Sequence, residues 1–584
     1  MKKVILLTAM ILMIIGCDTV SNTSEVLVST ADELNQAIEN AKPGDVILLA
    51  NGVWKDLQLN FRGEGTADNP IVIKAETSGE VFVEGASYVK FAGNHLVLDG
   101  LYFRNGYTPS NAIIDFRISD KELANNCRVT NVVIDKFTQP DRFRPDHWIE
   151  FWGRNNQLDH CYIAGKSNQG PTIRVQLKGN ESIYTYHKIN YNHFGPRPRK
   201  GGPKAETMQI GDSGTSMTPA YVLVYNNLFD RCNGEVEVIS SKANFNEFRN
   251  NVFFECEGSL VMRHGNYATI DGNLFIGNDN SEFIGGIRVI NTGHWITNNY
   301  FYKLKGNEFR APLAVMNGIP KSPLNRYNQV TDVVVAHNSW VDCKSPWHFS
   351  VGANLNQREV LPPSEIRSAR PVRTVLANNL IFNSEPMTKP IVNYDEVDGV
   401  LFKNNVFNQE STSEIAPNGL KTKEFEQDEL TEWLAVPTTD LGEPYQGFDF
   451  ENIENDVFGT SRTSKNSIGA VVSPAINFEA LLSHDKYGPA WFSTESDQLE
   501  STVHTITSVE ELEQVVPNAA SGDIIAFETG NYTVDATIIV AKELTFRGNE
   551  NAEVQLNFTS TEGPAFQLLP EGHITLQNLS LTGT

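Results

Sequence analysis

The chain has 584 residues, 40% of them hydrophobic, which is enough for more than one domain with a buried core. Its formal net charge of −24 argues against nucleic acid as a partner, because phosphate binding needs a basic surface. Any other anionic ligand would require a local basic patch on this acidic protein.

The first 17 residues have the pattern of a lipoprotein export signal. Two lysines precede an apolar run that is too short for a stop-transfer helix, and small residues lead into Cys17. We therefore predict an exported protein that a lipid on Cys17 anchors to the cell envelope, in the periplasm or at the cell surface. An ordinary signal peptide with an incidental cysteine is the alternative, and it would give a secreted protein.

A short helix is predicted near the start of the exported chain. Thr30 and Glu33 form a capping box ahead of an amphipathic segment. Short segments of alternating apolar and polar residues follow without long helical patterns, separated by Asn, Gly and Asp. The helix would cover the open backbone groups of the first strands.

A motif of the form Asn-Asn-apolar-Phe recurs between residues 191 and 407. The second residues of its copies are Asn192, Asn227, Asn251, Asn273, Asn299, Asn338, Asn379 and Asn405. The shortest steps are 22 to 26 residues, too short for strand–helix–strand units, so each repeat must be a coil of strands and turns. The sequence therefore predicts an all-β fold, a right-handed parallel β-helix, in which residues one repeat apart lie side by side.

The opening pattern returns near the other end of the chain. Ser508 and Glu511 repeat the capping box 478 residues after Thr30 and Glu33. We predict the main β-helix over residues 18–408, an irregular closing segment and linker over 409–500, and the beginning of a second β-helix over 501–584. Because only a few strands follow residue 501, we expect this second domain to be incomplete.

Five cysteines follow Cys17, and no CxxC pair occurs. Cys232 and Cys256 each fall five residues after the second Asn of a motif copy, so they should stack in neighbouring coils. Small buried apolar residues are a better interpretation than a disulfide framework in a domain of this size.

Charged residues are concentrated on the predicted strands between residues 206 and 263. Glu235 and Glu237 are two residues apart on one strand, so both side chains project from the same face. Lys242 precedes Arg263 by 21 residues, about one coil, which places them on neighbouring coils. The spacing brings two carboxylates, an amine and a guanidinium together, although a solvated ladder of charges would explain it equally well.

Four segments together resemble polysaccharide lyase family 6, the family of chondroitinase B and alginate lyases. They are DHCYIAGKSNQG at 159–170, NHFGPRPRKGG at 192–202, NGEVEVISSK at 233–242 and VMRHG at 261–265. The resemblance covers about the first 490 residues. It implies β-elimination on a uronate-containing polysaccharide, with alginate as the preferred substrate and chondroitin or dermatan sulfate as the alternative.

The resemblance also implies roles for individual residues. Lys242 would be the base that removes the proton next to the uronate carboxylate, and Arg263 the acid or the stabiliser of the leaving oxygen. Glu235 and Glu237 match the family's calcium ligands, and the ion would neutralise the substrate carboxylate.

Further residues around this cluster are assigned to substrate binding: Lys204, Arg197, Arg199, Glu206, His264 and Arg288. Lys166, Gln169 and Arg174 would line the same face. A solvated loop is the alternative for Arg197 and Arg199, and a structural hydrogen bond is the alternative for His264.

One departure from the family pattern concerns calcium. The family often reads GGNGGET where this chain reads GGPKAET, so Pro203 replaces a calcium-binding Asn. One hypothesis is that calcium binding is weakened or absent and that Lys204 takes over part of its role. The other is that Lys204 faces solvent and calcium still binds through the two glutamates and other oxygens; the sequence leaves both open.

Two other classes of protein would keep the repeats. A β-helical glycosidase needs paired catalytic carboxylates, and no adjacent Asp pair lies on the predicted strands near the cluster. A non-catalytic glycan-binding or adhesive β-helix would not need a lysine and an arginine one coil apart. An acidic polysaccharide is therefore the expected partner, and no oligomeric state is predicted.

Overall fold

A computed structural model describes residues 24–583 except 388, 412–414, 416–418, 432–433, 448, 464–465, 473–485, 494–501, 550–552 and 570–571. The chain divides into two compact units, Met1–Phe492 and Ser493–Thr584. The predicted export signal and Cys17 lie outside the described residues. Within the described residues, no helix is long and apolar enough to span a membrane.

The first unit is a parallel β-helix built from three sheets of 14 strands each, which confirms the predicted fold. Between the first and last coils, the chain passes through sheets 1, 2 and 3 in turn. The strands of sheet 1 are Glu25–Val28, Val46–Leu49, Ile71–Ala75, Leu96–Asp99, Arg128–Thr130, Gln157–Asp159, Lys188–Asn190, Leu223–Tyr225, Glu247–Arg249, Thr269–Asp271, Trp295–Thr297, Val334–Ala336, Thr374–Ala377 and Val400–Lys403.

Sheets 2 and 3 run alongside sheet 1. The strands of sheet 2 are Gly52–Lys55, Val81–Ala86, Tyr102–Tyr107, Val133–Asp135, Tyr162–Ala164, His193–Phe194, Leu228–Asp230, Val252–Phe254, Leu274–Ile276, Tyr300–Tyr302, Ser339–Val341, Leu380–Phe382, Asn405–Phe407 and Leu420–Thr422. Those of sheet 3 are Gln58–Glu64, Tyr88–Asn94, Ala112–Asp115, Arg117–Ser119, Glu122–Asn125, His147–Phe151, Ile173–Val175, Met208–Ile210, Glu237–Ser241, Ser259–Met262, Ile287–Val289, Leu313–Met316, Trp347–Val351 and Ile391–Asn393.

The repeated motif forms two ladders, one of Asn side chains in the turns between sheets 1 and 2 and one of aromatic rings on the strands of sheet 2. Its second residue is a buried Asn whose backbone N–H and side-chain amide both donate to the Oδ1 of the Asn one coil further on, as from Asn251 to Asn273 at 3.0 Å. Its aromatic residue stacks on the next one, as Phe253 does on Phe275 with centroids 4.6 Å apart. These contacts satisfy buried polar groups and set the register between coils.

The first residue of the motif takes a left-handed backbone conformation. The φ angle is +52° at Asn250, +67° at Gly272 and +55° at Asn298. Asn and Gly adopt this region more readily than other residues, which explains why they recur at this position.

The Ala31–Asn40 helix precedes the second strand of the β-helix and buries Leu34 and Ile38. Its N-cap is Thr30, whose Oγ1 accepts from the Glu33 N–H at 3.2 Å, while Glu33 Oε2 accepts from the Ser29 N–H at 2.7 Å. The predicted capping box is thereby confirmed.

The irregular segment after the last coil packs on the outside of the β-helix. Its elements are a hairpin of Gln427–Thr431 with Leu434–Pro437 and a 3₁₀ helix at Phe450–Asn452. The Tyr300 hydroxyl on sheet 2 donates to the Ala435 carbonyl at 3.0 Å. At its end, Trp491 lies over Gly79, where a Cβ atom would be 2.8 Å from the ring.

Short 3₁₀ helices and long connections border sheet 3. The remaining 3₁₀ helices are Asn180–Ser182, Glu308–Arg310, Leu355–Gln357 and Pro363–Glu365. Residues 195–207 enter sheet 3, and residues 317–333 and 352–373 leave it. The outer face of sheet 3 is therefore flanked by loops that can form the walls of a groove. The five described cysteines are buried free thiols, as predicted.

The second unit repeats the opening of the first. The Val509–Asn518 helix has Ser508 as N-cap, with Ser508 Oγ accepting from the Glu511 N–H at 3.3 Å. Three small parallel sheets follow, formed by Val503–Ile506, Ile524–Phe527, Glu543–Arg547 and His573–Gln577, by Gly530–Val534, Val554–Phe558 and Ser580–Gly583, and by Ile538–Val540 and Phe566–Leu568.

Candidate active site

Lys242 and Arg263 lie on neighbouring coils, each just after the C-terminal end of a strand of sheet 3. The Glu237–Ser241 strand pairs in parallel with Ser259–Met262, with Ser241 opposite Met262, and each candidate residue follows its strand directly. Neither side chain is buried in the interior: Lys242 is half-buried and the Arg263 side chain is 24% exposed. The register thus produces the juxtaposition that the 21-residue spacing predicts.

The environment of Lys242 favours its neutral form. Burial lowers the pKa of the Lys242 amine, the nearby charges of Arg174 and Arg263 lower it further, and Glu206 and Glu237 oppose them. The net pKa lies below the usual 10.5. A lysine with a lowered pKa can accept a proton, which a fully charged lysine cannot do.

Arg263 is held between a carboxylate and an aromatic ring. Its Nε is 3.5 Å from Glu237 Oε1, and its guanidinium lies 4.5 Å from the centroid of the Tyr327 ring. Its buried Nη1 has no hydrogen-bond partner among the described residues. Buried donors normally have partners, so this group is suited to bind an oxygen of a ligand.

Three carboxylates lie beside this pair. Oxygens of Glu206, Glu235 and Glu237 are within 4.8 Å of one another. Burial, then the Glu206 and Glu237 charges, raise the pKa of Glu235 to about 8, and burial also raises the pKa of Glu206. Glu206 is only 7% exposed, and its Oε2 has no hydrogen-bond partner in the described chain. Crowded carboxylate oxygens of this kind, with that of Glu206 unpaired, suit a hard divalent cation.

The substrate-binding role predicted for Arg197 is wrong. The side chain is 3% exposed, and its guanidinium donates to the backbone carbonyls of Glu206 at 2.6 Å and Gly170 at 2.9 Å. Further bonds go to Thr172 Oγ1 and the Asn168 carbonyl. Because all these partners are inside the protein, Arg197 fixes the loop that carries Glu206 and cannot reach a sugar.

A buried ion pair lies beneath this loop. Lys166 Nζ donates to Asp146 Oδ1 and, at 2.7 Å, to Asn168 Oδ1. Lys166 is buried, and its burial lowers the pKa to about 7. Lys166 therefore does not line the outer face of the sheet, as the sequence had suggested, but supports it from within.

Two other loop cations lie at the surface. Arg199 forms a bidentate ion pair with Glu257, with Nη2 to Oε1 at 2.6 Å. Lys204 is exposed and has a left-handed backbone with φ of +68°. The cations whose charge acts on Glu235 are Arg197 and Lys242. This agrees with the solvent-facing interpretation of Lys204.

His264 and Arg288 both belong to the cluster. Burial, with Arg263 and Lys242 nearby, lowers the pKa of His264 to about 3, and its Nδ1 is 3.2 Å from Ser216 Oγ. Arg288 Nη1 is 3.5 Å from Glu237 Oε1, so Glu237 is shared by two arginines on successive coils. Arg288 is buried, and its contact with Glu237 Oε1 helps to orient the Glu237 carboxylate.

Sequence reasoning missed Tyr327. This residue lies in the long connection 317–333, outside the repeats, and its ring is also 5.3 Å from the Arg367 guanidinium. Glu206 was predicted to belong to the cluster but not to group with the other two glutamates, because it lies in the connection that precedes the next strand of sheet 3. Its position depends on the loop that Arg197 fixes.

Comparison with known proteins identifies the family. The sequence pattern of the family described as Chondroitinase B matches residues 28–451. A solved structure of a PL6 family alginate lyase, AlyGC, is 34% identical, with a TM-score of 0.75, covering 96% of this chain and 71% of that chain. This chain belongs to polysaccharide lyase family 6. The resemblance noted in the sequence is thereby confirmed.

Two further family 6 lyases are similar to this chain. A mannuronic acid specific lyase from human gut microbiota is 29% identical, with a TM-score of 0.62, covering 69% of this chain and 92% of that chain. The lyase Pedsa3628 from Pseudopedobacter saltans is 25% identical, with a TM-score of 0.57, covering 69% and 97%. No curated protein sequence matches this chain. Family membership makes the protein a polysaccharide lyase rather than a glycosidase or an adhesin.

The two loop arginines provide a test of this assignment of roles. Arg197→Met is expected to lower the free energy of unfolding by at least about 3 kcal/mol, because several buried carbonyls lose a charged donor. Arg199→Met, two residues away, removes a surface ion pair and should cost less than about 1 kcal/mol. Urea unfolding of both variants measures the difference, and equal losses would contradict the buried role of Arg197.

Proposed function

We propose that this polysaccharide lyase cleaves alginate by β-elimination and leaves an unsaturated uronate at the new chain end. The observation that carries the proposal is the pairing of a lysine of lowered pKa with an arginine on the next coil, beside a carboxylate cluster. Similar enzymes named as alginate lyases or as mannuronic acid specific support alginate over chondroitin or dermatan sulfate.

The reaction needs three functions from the site. Lys242 Nζ removes the proton on the carbon next to the uronate carboxylate, and the released electron pair forms a carbon–carbon double bond. The glycosidic oxygen leaves as that bond forms, and the free Nη1 of Arg263 stabilises its negative charge until it is protonated. The uronate carboxylate must be neutralised at the same time, because it opposes formation of the carbanion.

Calcium is the proposed neutralising group. Glu206, Glu235 and Glu237 would hold it, since three carboxylates compensate for the amide oxygen that is lost at Pro203. When bound, the ion would withdraw charge from the substrate carboxylate. The exposed position of Lys204 favours this proposal over its replacement of the ion.

The proposed calcium site predicts that activity depends on bound metal. The purified protein is expected to contain about one calcium ion per chain, and chelation should lower activity at least about a hundredfold, because the ion contributes several kcal/mol to the transition state. Added calcium should restore activity in the chelated wild type but only weakly in Glu206→Gln. Calorimetry should show that this variant binds calcium with lower affinity. Full activity in metal-free protein would refute calcium dependence and return attention to Lys204.

The substrate assay separates the candidate functions. Alginate, its mannuronate and guluronate blocks, and dermatan sulfate are each incubated with the protein while the ultraviolet absorbance of the unsaturated uronate is followed. Absorbance from dermatan sulfate alone would identify the other substrate of the family. Export and lipidation at Cys17 remain proposals supported by the lysines, the apolar run and the position of the cysteine.

A further inference from the structure

An acidic cavity of about 600 Å³ lies on the outer face of sheet 3, on coils that precede the carboxylate cluster. Four carboxylates line it, those of Asp120, Asp146, Glu150 and Glu181. Asp120 is paired with Arg117 at 2.6 Å, and the partner of Asp146 is the buried Lys166. Glu150 and Glu181 form no ion pair in the part of the chain that the structure describes, so the lining carries an excess of negative charge.

A second carboxylate lies directly beside that of Glu150. The Ala112–Asp115 strand pairs in parallel with His147–Phe151, and the register places Asp115 opposite Glu150. The preceding residue of each strand is an isoleucine buried in the core, so Asp115 and Glu150 both project from the outer face of the sheet. Neighbouring strands are about 4.8 Å apart, which allows one ion to contact both carboxylates.

Each of these two carboxylates has a buried oxygen without a partner. Asp115 is 5% exposed and Glu150 is 3% exposed, and neither Asp115 Oδ1 nor Glu150 Oε2 has a hydrogen-bond donor among the described residues. Glu150 Oε1 accepts from Gln176 Nε2 at 2.6 Å, which fixes this carboxylate in place. Burial and the Glu150 charge raise the pKa of Asp115 to about 8. Two buried carboxylates this close are unfavourable unless a proton or a cation lies between them.

The cations on the neighbouring coils do not neutralise this pair. Arg174 follows Glu150 in the same row of the sheet, but its ion pair is with Asp212 at 3.1 Å. Lys90 precedes Asp115 in the row, and its ammonium lies 4.9 Å from the centroid of the Tyr88 ring. Both cations act on the pair only at longer range, and no ion pair joins either of them to it in the described chain.

We propose that Asp115 and Glu150 form a second site for a divalent cation, separate from the cluster of Glu206, Glu235 and Glu237, and that the ion is calcium. The ligands are hard oxygen atoms, which favour calcium over zinc or copper. Water in the cavity completes the shell of about six to eight oxygens that calcium takes. The ion joins two successive coils of sheet 3. The site does not depend on the substrate or on a metal at the catalytic cluster.

Calcium binding is counted by equilibrium dialysis in Glu206→Gln, where the other proposed calcium site is weakened. This protein should still bind about one ion, with a Kd of about 10⁻⁴ to 10⁻³ M, the range of sites that supply few charged ligands. Adding Asp115→Asn or Glu150→Gln keeps the side-chain shape but removes one charged ligand. Each should weaken binding at least about tenfold.

Glu181→Gln in the same background is the matched control. Glu181 is an exposed carboxylate that lines the same cavity, so its removal changes the local charge equally without touching the buried pair. Because solvent screens an exposed charge, calcium affinity should change less than about twofold. An equal loss in this control would indicate a general attraction of cations to an acidic surface and would overturn the site.

Terbium, a hard cation that replaces calcium, gives a second readout without any change to the pair. Trp152 lines the cavity, so terbium bound there should luminesce on excitation of tryptophan, and added calcium should displace it. Absence of both bound calcium and terbium luminescence in Glu206→Gln, or unchanged calcium affinity in Asp115→Asn and Glu150→Gln, would overturn the site and leave a shared proton between the carboxylates. Cleavage of alginate is measured separately, so a failure of the lyase proposal does not affect these outcomes.

Discussion

Replacing Lys242 with alanine is expected to lower kcat on alginate by about a thousandfold, within the usual contribution of a positioned general base. The amine is half-buried on the open face of sheet 3 and has a lowered pKa, whereas the neighbouring His264, whose pKa is lowered to about 3, is too weak a base to replace it. KM should change little, because the lysine acts mainly in the transition state. The rate of absorbance increase measures both constants.

The pH dependence gives a second measure of the same role. Burial holds the pKa of Lys242 below its usual value, and only the neutral amine can accept a proton. Wild-type kcat/KM should therefore rise with pH through this pKa and level off above it. The residual activity of Lys242→Ala should not show this rise with pH, while Lys188→Ala, which changes an exposed lysine on sheet 1, should still show it. An unchanged profile in Lys242→Ala would assign the base to another group.

Replacing Arg263 with alanine is expected to lower kcat by a factor of about 100 to 1,000, the effect of removing one donor to a developing oxyanion. Arg263→Lys keeps the charge but loses the planar fork that Glu237 and Tyr327 hold, so it should recover only part of the rate. Added guanidinium is expected to rescue the alanine variant more than the lysine variant.

A matched control lies on the same coil. Arg249 is partly exposed on sheet 1 and pairs with Glu247 and Asp271, away from the catalytic face. Arg249→Ala should keep full activity. If Arg263→Ala retained wild-type kcat, or if Arg249→Ala fell as far, the assignment of Arg263 to the leaving oxygen would be refuted.

The repeats explain why much of the fold could be predicted from sequence. The Asn and Phe positions of the motif have one interior environment in every coil, so the same residue types recur, and their spacing defines the stack. The capping boxes at Thr30 and Ser508 are local signals of the same kind. The repeats and the capping boxes can be predicted because each depends on residues at a fixed spacing in the sequence.

The candidate site was predictable only where it follows this periodicity. Lys242 and Arg263 flank paired strands, so a difference of one coil placed them correctly. Arg197 and Tyr327 lie in connections without a repeat, and their burial or contacts depend on how those loops fold back. A run of basic residues such as 197–204 looks like a solvated binding loop whether or not one arginine turns inward.

The asparagine ladder has a consequence for how such enzymes can diversify. Successive ladder positions are separated by 22 residues between Asn251 and Asn273 but by 41 between Asn338 and Asn379, while the amide-to-amide bonds keep the same length. The loops between strands can thus lengthen or differ between relatives without altering the distance from the Lys242 amine to the Arg263 guanidinium. A constant chemical step can in this way be combined with interchangeable groove walls, each adapted to a different glycan.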